Sequence, residues 1–402
     1  MTDKTYDAIV VGARCAGAPT AMLLARRGHR VLLVDRARFP SDTVSTHLIH
    51  PPGLAALDRW GLLSRVTAGD LPEITTYSFD LGPVTLAGSP AGYGFSGSYA
   101  PRRTVLDKIL VDAASEAGVD VREGFSVDEL VSGGEGADGT VTGIRGREHD
   151  RHQVTEHARV VIGADGAHSF VARTVGAASY AEKPKLQASY YTYWSGLGFE
   201  HFEAFLRPGR GFAGWPTNDG LTLLICSWPM READAHHTDA EGAYLATIAM
   251  APALAERTAS ATRVERLLGA AVPNYFRTPY GPGWALVGDA GYLKDFITAQ
   301  GIQDGFQDAE LCAGAVDEAL TGKRPFEEAM RDYQEARDGR VREMYEFTAD
   351  FANLDPPTPD MQQMFGAIAQ RQETMDGFAR VVAGVTAPSA FFSDPALHRA
   401  AG

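Results

Sequence analysis

The loop Gly12-Ala-Arg-Cys-Ala-Gly17 carries the outer two glycines of a dinucleotide fingerprint, with Arg14 in the place usually held by the middle glycine. A tight turn at Gly12 and close helix packing at Gly17 would aim the free backbone N–H groups around Arg14, Cys15 and Ala16, and the helix dipole, at a pyrophosphate. Asp35, about 20 residues further on, stands where a carboxylate accepts from a ribose hydroxyl. Arg36 follows it, and Thr43-Val-Ser-Thr-His47 then offers a histidine able to carry a proton near physiological pH. The alternative for His47 is a hydrogen-bonded structural role. The aromatic run Tyr190-Tyr-Thr-Tyr-Trp194, with Phe212 and Trp215 nearby, suits an apolar substrate pocket, or else ordinary sheet core. Alternate residues of a strand share a face, so Tyr191 and Tyr193 point together while Tyr190, Thr192 and Trp194 point the other way.

These residues need a scaffold, and the sequence supplies its outline. Tyr6-Asp-Ala-Ile-Val-Val-Gly12 is a short apolar run ending in glycine, as expected of a buried parallel strand turning into a helix. Ala18, Met22, Leu23 and Ala25 give the helix its apolar positions, Gly28 ends it, and Arg30 to Asp35 reads as a second buried strand. Strand, helix and strand fit the length of a βαβ unit. Helices are expected over Pro51 to Leu63 and Arg103 to Gly118, with strands at Val119 to Arg122 and Val160 to Gly163. Gly133 to Gly139 reads as a hairpin tip, and Asn218-Asp-Gly220 as the turn between two strands that end at Trp228. The last hundred residues are mostly helical.

Composition narrows the classes. The 402 residues are 45% hydrophobic and 22% charged, enough for a large core and two interleaved domains. A net charge of -14 with no basic cluster excludes nucleic acid and an anionic membrane surface as expected partners. No apolar leader or spanning segment is visible, which places the expectation in the cytoplasm. Cys15, Cys226 and Cys312 are far apart and suggest neither a disulfide framework nor a metal site. Cys15 sits where a helix N-terminus could lower its pKa, but a buried small residue is the preferred reading.

Two further motifs carry a family resemblance. Gly163-Ala-Asp-Gly166, followed by Ser169 and Arg173, and then Gly288-Asp-Ala290, match in order the aspartate-glycine and glycine-aspartate motifs of the group A flavin monooxygenases. The chain resembles that p-hydroxybenzoate hydroxylase class, with its glutathione-reductase-type FAD fold, from the first strand to about Ala313. The resemblance implies that Asp289 binds the ribityl chain of FAD, that Asp165 supports FAD and nicotinamide binding, and that Arg103 meets the FAD phosphates. Read alone, Arg103 is equally a solvated helix-start arginine. Gly288 belongs to the same motif, and Gly301 and Ile302 fall at the helix start beneath the flavin pyrimidine, whose N–H groups would stabilise charge on reduced flavin. The chain departs from the family at Lys294-Asp-Phe-Ile-Thr298, where Phe296 stands in place of a proline beside the flavin. Phe296 either presses on the ring or fills a core gap.

The implied fold is α/β: a Rossmann-like FAD-binding domain (residues 1–75, 101–180 and 278–345) interleaved with a mixed β-sheet substrate domain (76–100 and 181–277), and a helical C-terminal segment (346–402). The implied reaction is that of an FAD-dependent monooxygenase. NAD(P)H reduces FAD, O2 gives a flavin C4a-hydroperoxide, and one oxygen passes to a small aromatic or polyketide-like molecule at a site that excludes water. Direct reduction is expected, with a separate flavin reductase as the other source of electrons. Geranylgeranyl-type reductases and flavin-dependent halogenases share the fold, although Gly214-Trp-Pro-Thr217 does not supply the Trp-x-Trp-x-Ile-Pro of such halogenases. A non-catalytic flavin sensor is the third reading. Oligomeric state is not legible.

Overall fold

Strand β1 (Tyr6–Val11) is buried along nearly its whole length, which is why it reads as an unbroken apolar run. It passes through Gly12 into helix α1 (Gly17–Ala25), which leads back to strand β2 (Val31–Asp35), parallel to β1 with Ala8 beside Val31 and Val11 beside Val34. On the other side of β1 lies the strand Gln153–Gly163, also parallel, and beyond it Trp284–Leu286. The strand Asp120–Glu123 extends the sheet past β2. The computed structural model describes residues 5–133, 139–148, 152–394 and 397. The expected hairpin tip at 133–139 lies mostly outside these; the strands Phe125–Ser132 and Val141–Glu148 that flank it form an antiparallel pair.

Among the described residues a second, mostly antiparallel sheet is ordered Thr262–Arg263, Gln187–Ser195, Leu221–Pro229, Arg210–Pro216, Phe202–Arg207, Tyr77–Asp80 and Thr85–Gly88. The Asn218–Gly220 turn links two of these strands, with Asp219 at φ 62°. Asparagine, aspartate and glycine tolerate the left-handed conformation such a turn demands. One face of this sheet, with Tyr191, Tyr193, Trp215 and Phe202, packs on Phe365, Phe378 and Phe391 from the C-terminal helices. The opposite face, with Trp194, Leu224 and Trp228, is covered by Tyr244, Ile248 and Leu254. Those three belong to the helices Ala240–Ile248 and Pro252–Ser260, which the reading of residues 181–277 as a β-sheet domain did not anticipate.

Several boundaries shift. The helix expected over Pro51 to Leu63 is two, α2 (Pro51–Arg59) and Leu63–Val66, parted at Gly61, which has φ 74°. The helix Phe326–Ala352 runs unbroken across position 345, where a boundary was expected. No helix among the described residues is long and apolar enough to cross a membrane.

Candidate functional site

The motif residues meet at one edge of the parallel sheet. Val11, Val34 and Gly163 are tied together where their strands end: Ala164 N donates to Val11 O (2.8 Å), Gly12 N to Val34 O (2.8 Å) and Val287 N to Gly163 O (3.0 Å). Gly12, Asp35, Asp165 and Asp289 therefore follow the carboxyl ends of adjacent strands, where open α/β sheets bind their ligands. Gly12 has φ 103°, and a Cβ there would lie 2.4 Å from Ala164 O. At Gly17 a Cβ would lie 1.8 Å from Gly12 O, so both glycines are sterically required. Helix α1 has no side-chain cap and no acidic residue in its first turn, leaving its N–H groups for an anion. Asp35 braces the loop from below, accepting from Ala13 N and Ala37 N, each at 2.7 Å. Arg36 is exposed.

A buried ionic cluster underlies this loop. Asp107, fully buried on the helix Arg103–Glu116, accepts from Arg14 at 2.5 Å and pairs with Arg103 at 2.9 Å. Cys15 Sγ lies 3.4 Å from the same carboxylate, and burial pushes that thiol up, so Cys15 is a buried thiol and not a reactive thiolate. Arg14 also donates to Ser41 and stacks over Phe39. With one carboxylate between two guanidiniums, the cluster keeps an excess positive charge next to the anion seat. Asp289, in the turn Gly288–Ala290, lies within the field of Arg103. Burial pushes its carboxyl up to about 6 in spite of Arg103, and Asp304 adds to the rise. Gly288 is forced by packing, because a Cβ there would lie 2.7 Å from Ala16 Cβ. Asp165 is differently engaged: it accepts from Ser169 Oγ, Phe170 N (2.6 Å) and Val171 N (3.1 Å), holding the start of the short helix Phe170–Thr174.

Beyond Asp289 the chain runs through Lys294 to the turn Phe296–Thr298 and then, by way of Ala299 at φ 53°, into the helix Gly301–Leu320. Buried Lys294 pairs with Asp304 of that helix's first turn. Gly301 at the helix start is exposed, whereas Ile302 is buried in the core beside α1. His50 bridges α2 to the turn, its ring nitrogens bonding Tyr77 Oη (2.6 Å) and Thr298 O (3.0 Å). Asp295 takes hydrogen bonds from Gln187 Nε2 and Ile297 N, while its Oδ2 and Gln187 Oε1 remain without partners. Burial pushes the Asp295 carboxyl up to about 7.

His47 is fully buried at φ 61°, hydrogen-bonded through Nε2 to Tyr193 Oη, with Nδ1 unpartnered. Tyr191 meets the His47 ring edge-on at 6.4 Å and accepts from Ser45 N. Burial first, then Arg103 and Arg102, hold His47 well below the usual histidine range. That shift runs against the proton carrier near physiological pH that His47 offered in the sequence and towards the hydrogen-bonded structural alternative. Near His47 an apolar cavity of about 60 Å³, partly open to solvent, runs between the second sheet and the C-terminal helices. Thr46, Trp215 and Phe296 line it, and Phe296 also packs against the core of that sheet face. Trp194 does not belong to this side. Strand alternation turns it to the opposite face, where Nε1 donates to Tyr244 Oη at 3.1 Å, which corrects its expected substrate contact.

A family model described as an FAD binding domain matches residues 5–348. The chain belongs to this FAD binding domain family. Membership sets it among the FAD-dependent oxidoreductases. The FAD-binding chain is 25% identical over 350 residues to digeranylgeranylglycerophospholipid reductase 2 of Methanopyrus kandleri, covering 82% of this chain and 81% of that one. It is 31% identical over 192 residues to FixC of Salmonella typhi, covering 45% of this chain and 41% of that protein. It thus spans less than half the length of this relative. Among solved structures, the myxobacterial chondrochloren halogenase CndH superposes with TM-score 0.81 at 22% identity over 99% of this chain and 96% of that one. PqsL of Pseudomonas aeruginosa, described as a probable FAD-dependent monooxygenase, superposes with TM-score 0.71 at 20% identity over 94% of this chain and 99% of that one. At such identities both show the fold.

Several residues of this flavoprotein's site escaped the sequence reading. Asp107 could have been found as the i+4 partner of Arg103 on one helix. Asp308, fully buried, accepts from Gly288 N at 3.3 Å and pairs with Arg340 at 2.8 Å. No local signal marks it, because its partners lie on other elements. His50 and the Gln187–Asp295 pair are likewise long-range.

Proposed function

We propose that the protein is an FAD-dependent monooxygenase of the p-hydroxybenzoate hydroxylase type, using NAD(P)H to transfer one oxygen of O2 to a small aromatic or polyketide-like molecule. In balance, substrate, O2, NAD(P)H and a proton become hydroxylated substrate, water and NAD(P)+. One observation carries the reading: the strand-edge seat built from Gly12, Asp35 and Asp289 continues, through the turn Phe296–Thr298, into an apolar cavity. The residues fit the cofactor. Two glycines leave no room for a Cβ, α1 presents an uncapped N-terminus, and Asp289 offers a carboxylate with no hydrogen-bond partner among the described residues.

FAD, when bound, supplies the two-electron redox chemistry and the reaction with oxygen. The protein's part is to bind, orient and dry the site. The N-terminus of α1, with Arg14 and Arg103 behind it, would hold the diphosphate, Asp35 a ribose and Asp289 the ribityl hydroxyls. The N-terminus of the helix Gly301–Leu320 would favour negative charge on the reduced pyrimidine side. His50 and the Lys294–Asp304 pair hold the turn Phe296–Thr298 in place. The apolar walls of the cavity would limit the access of water to the reacting ring.

Reduction of an apolar alkene is the second reading, favoured by the 82% coverage shared with the Methanopyrus kandleri reductase. Purified protein incubated with NADPH, 18O2 and a library of aromatic compounds separates the two. The expected product gains one labelled oxygen and NADPH oxidation rises with substrate. Products that gain two hydrogens and no label would replace the monooxygenase by a reductase, and halogenated products in the presence of bromide would replace it by a halogenase.

A further inference from the structure

The cavity itself constrains what enters it. Nothing charged or titratable lines it: its polar side-chain groups are the hydroxyls of Thr46, Ser227 and Thr298 and the indole N–H of Trp215, which donates to Thr46 O at 3.1 Å. Ser227 is already bonded to Ser189 at 2.6 Å and Thr298 to Thr348 at 3.0 Å. A carboxylate or ammonium placed here would lose its hydration and gain no counter-charge. The walls are flat. Phe202 and Trp215 stack at 5.3 Å with 18° between planes, and Phe347 and Phe351 at 5.5 Å with 30°. Parallel ring pairs on the sheet and on the helix Phe326–Ala352 suit a planar aromatic guest.

The same lining lacks a base. His47, beside Thr46 in sequence, is held by Tyr193, and Asp295, beside Phe296, is held by Gln187 and the backbone of its own turn. We infer that the cavity takes an uncharged, planar aromatic molecule whose ring is electron-rich through its own substituents, an aryl ether, arylamine or pyrrole-type heteroarene, and not an acidic phenol or aromatic acid. This inference rests on the flavin reading for the cavity's role as the substrate site.

The test uses three probes of one shape: naphthalene-2-carboxamide, 2-naphthoate and 2-naphthylmethylammonium, with farnesol as an aliphatic control. Calorimetry reads binding, and the flavin spectrum reports cofactor occupancy separately. The carboxamide is expected to bind at least about a hundredfold more tightly than either ion, a gap that uncompensated burial of one charge readily exceeds. Ala213→Trp and, independently, Ala204→Phe fill the cavity away from the flavin seat, and each should abolish carboxamide binding while the flavin spectrum is kept. Binding of either ion as tight as the carboxamide, tighter binding of farnesol, no binding of any probe, or carboxamide binding that survives whichever variant folds would each overturn the inference. A protein that refuses flavin overturns the cofactor reading instead, and the probe ranking is then read on that same flavin-free protein.

Discussion

At the scale of single residues, two carboxyls held above their usual range give opposite kinds of pH dependence. Asp289 titrates at about 6, pushed up by burial. Flavin hydroxyls would donate to its ionised form, so the cofactor should bind the deprotonated protein better. FAD affinity is then level above about pH 6 and weakens by up to about tenfold per unit below it. Asp289→Ala should weaken FAD by about tenfold to a hundredfold at pH 8, the range of a hydrogen bond to a charged group, and should flatten the profile. An unchanged acid limb in that variant would remove Asp289 from the seat. Asp295, raised to about 7, acts on stability. A carboxyl raised above its unfolded value costs stability once ionised: the cost begins as pH climbs through about 4 and is complete above about 7. Asp295→Asn keeps an acceptor for Gln187 and Ile297 while removing the charge. It should stabilise the protein by about 2–4 kcal/mol at pH 8 and hardly at all at pH 4, measured by urea unfolding. An equal effect at both values would show that Asp295 is ionised in the fold.

At the scale of elements, the helix Arg103–Glu116 is the part whose role is least visible locally and most consequential. Its Asp107 joins Arg14, from the loop before α1, to Arg103, a turn back on its own helix. Asp107→Ala would leave two guanidiniums facing each other in a buried space, at a cost of about 3–5 kcal/mol, and should also weaken FAD through the displaced loop. A stability loss under about 1 kcal/mol would mean that water already screens this cluster. The sequence made β1, α1 and β2 readable because each answers to a short-range rule: an unbroken apolar run, a glycine that only one backbone shape explains, a closing acidic residue. Alternation likewise predicted that Trp194 turns away from Tyr193, although it was still counted among the pocket residues. The helices Ala240–Ile248 and Pro252–Ser260 were missed because their burial is earned against one sheet face, with Leu254 the one buried position of the second. Asp308 and Gln187 were missed for a related reason: their chemistry depends on neighbours more than a hundred or some twenty positions away, which no local window contains.

At the scale of the whole molecule, the helix Phe326–Ala352 touches nearly everything the site needs. Met330 and Tyr333 enter the core beneath α1, with Tyr333 Oη donating to Leu286 O at 2.9 Å. Arg337, fully buried, donates to Gly291 O, just past Asp289, and to Arg277 O at the end of the strand Asn274–Arg277. Further along, Met344 joins the core under Tyr191 and Tyr193, and Phe347 and Phe351 form cavity wall. One continuous rod is thus shared by the nucleotide half and the apolar cavity, like a keel common to two hulls. Neither half can loosen without dragging on the other, so urea should discharge the yellow colour and expose the tryptophans at a common midpoint. Two separate midpoints would show the keel to be broken in solution. If they coincide, the two halves share one fate, and a substitution that weakens the rod should cost the nucleotide seat and the cavity in equal measure.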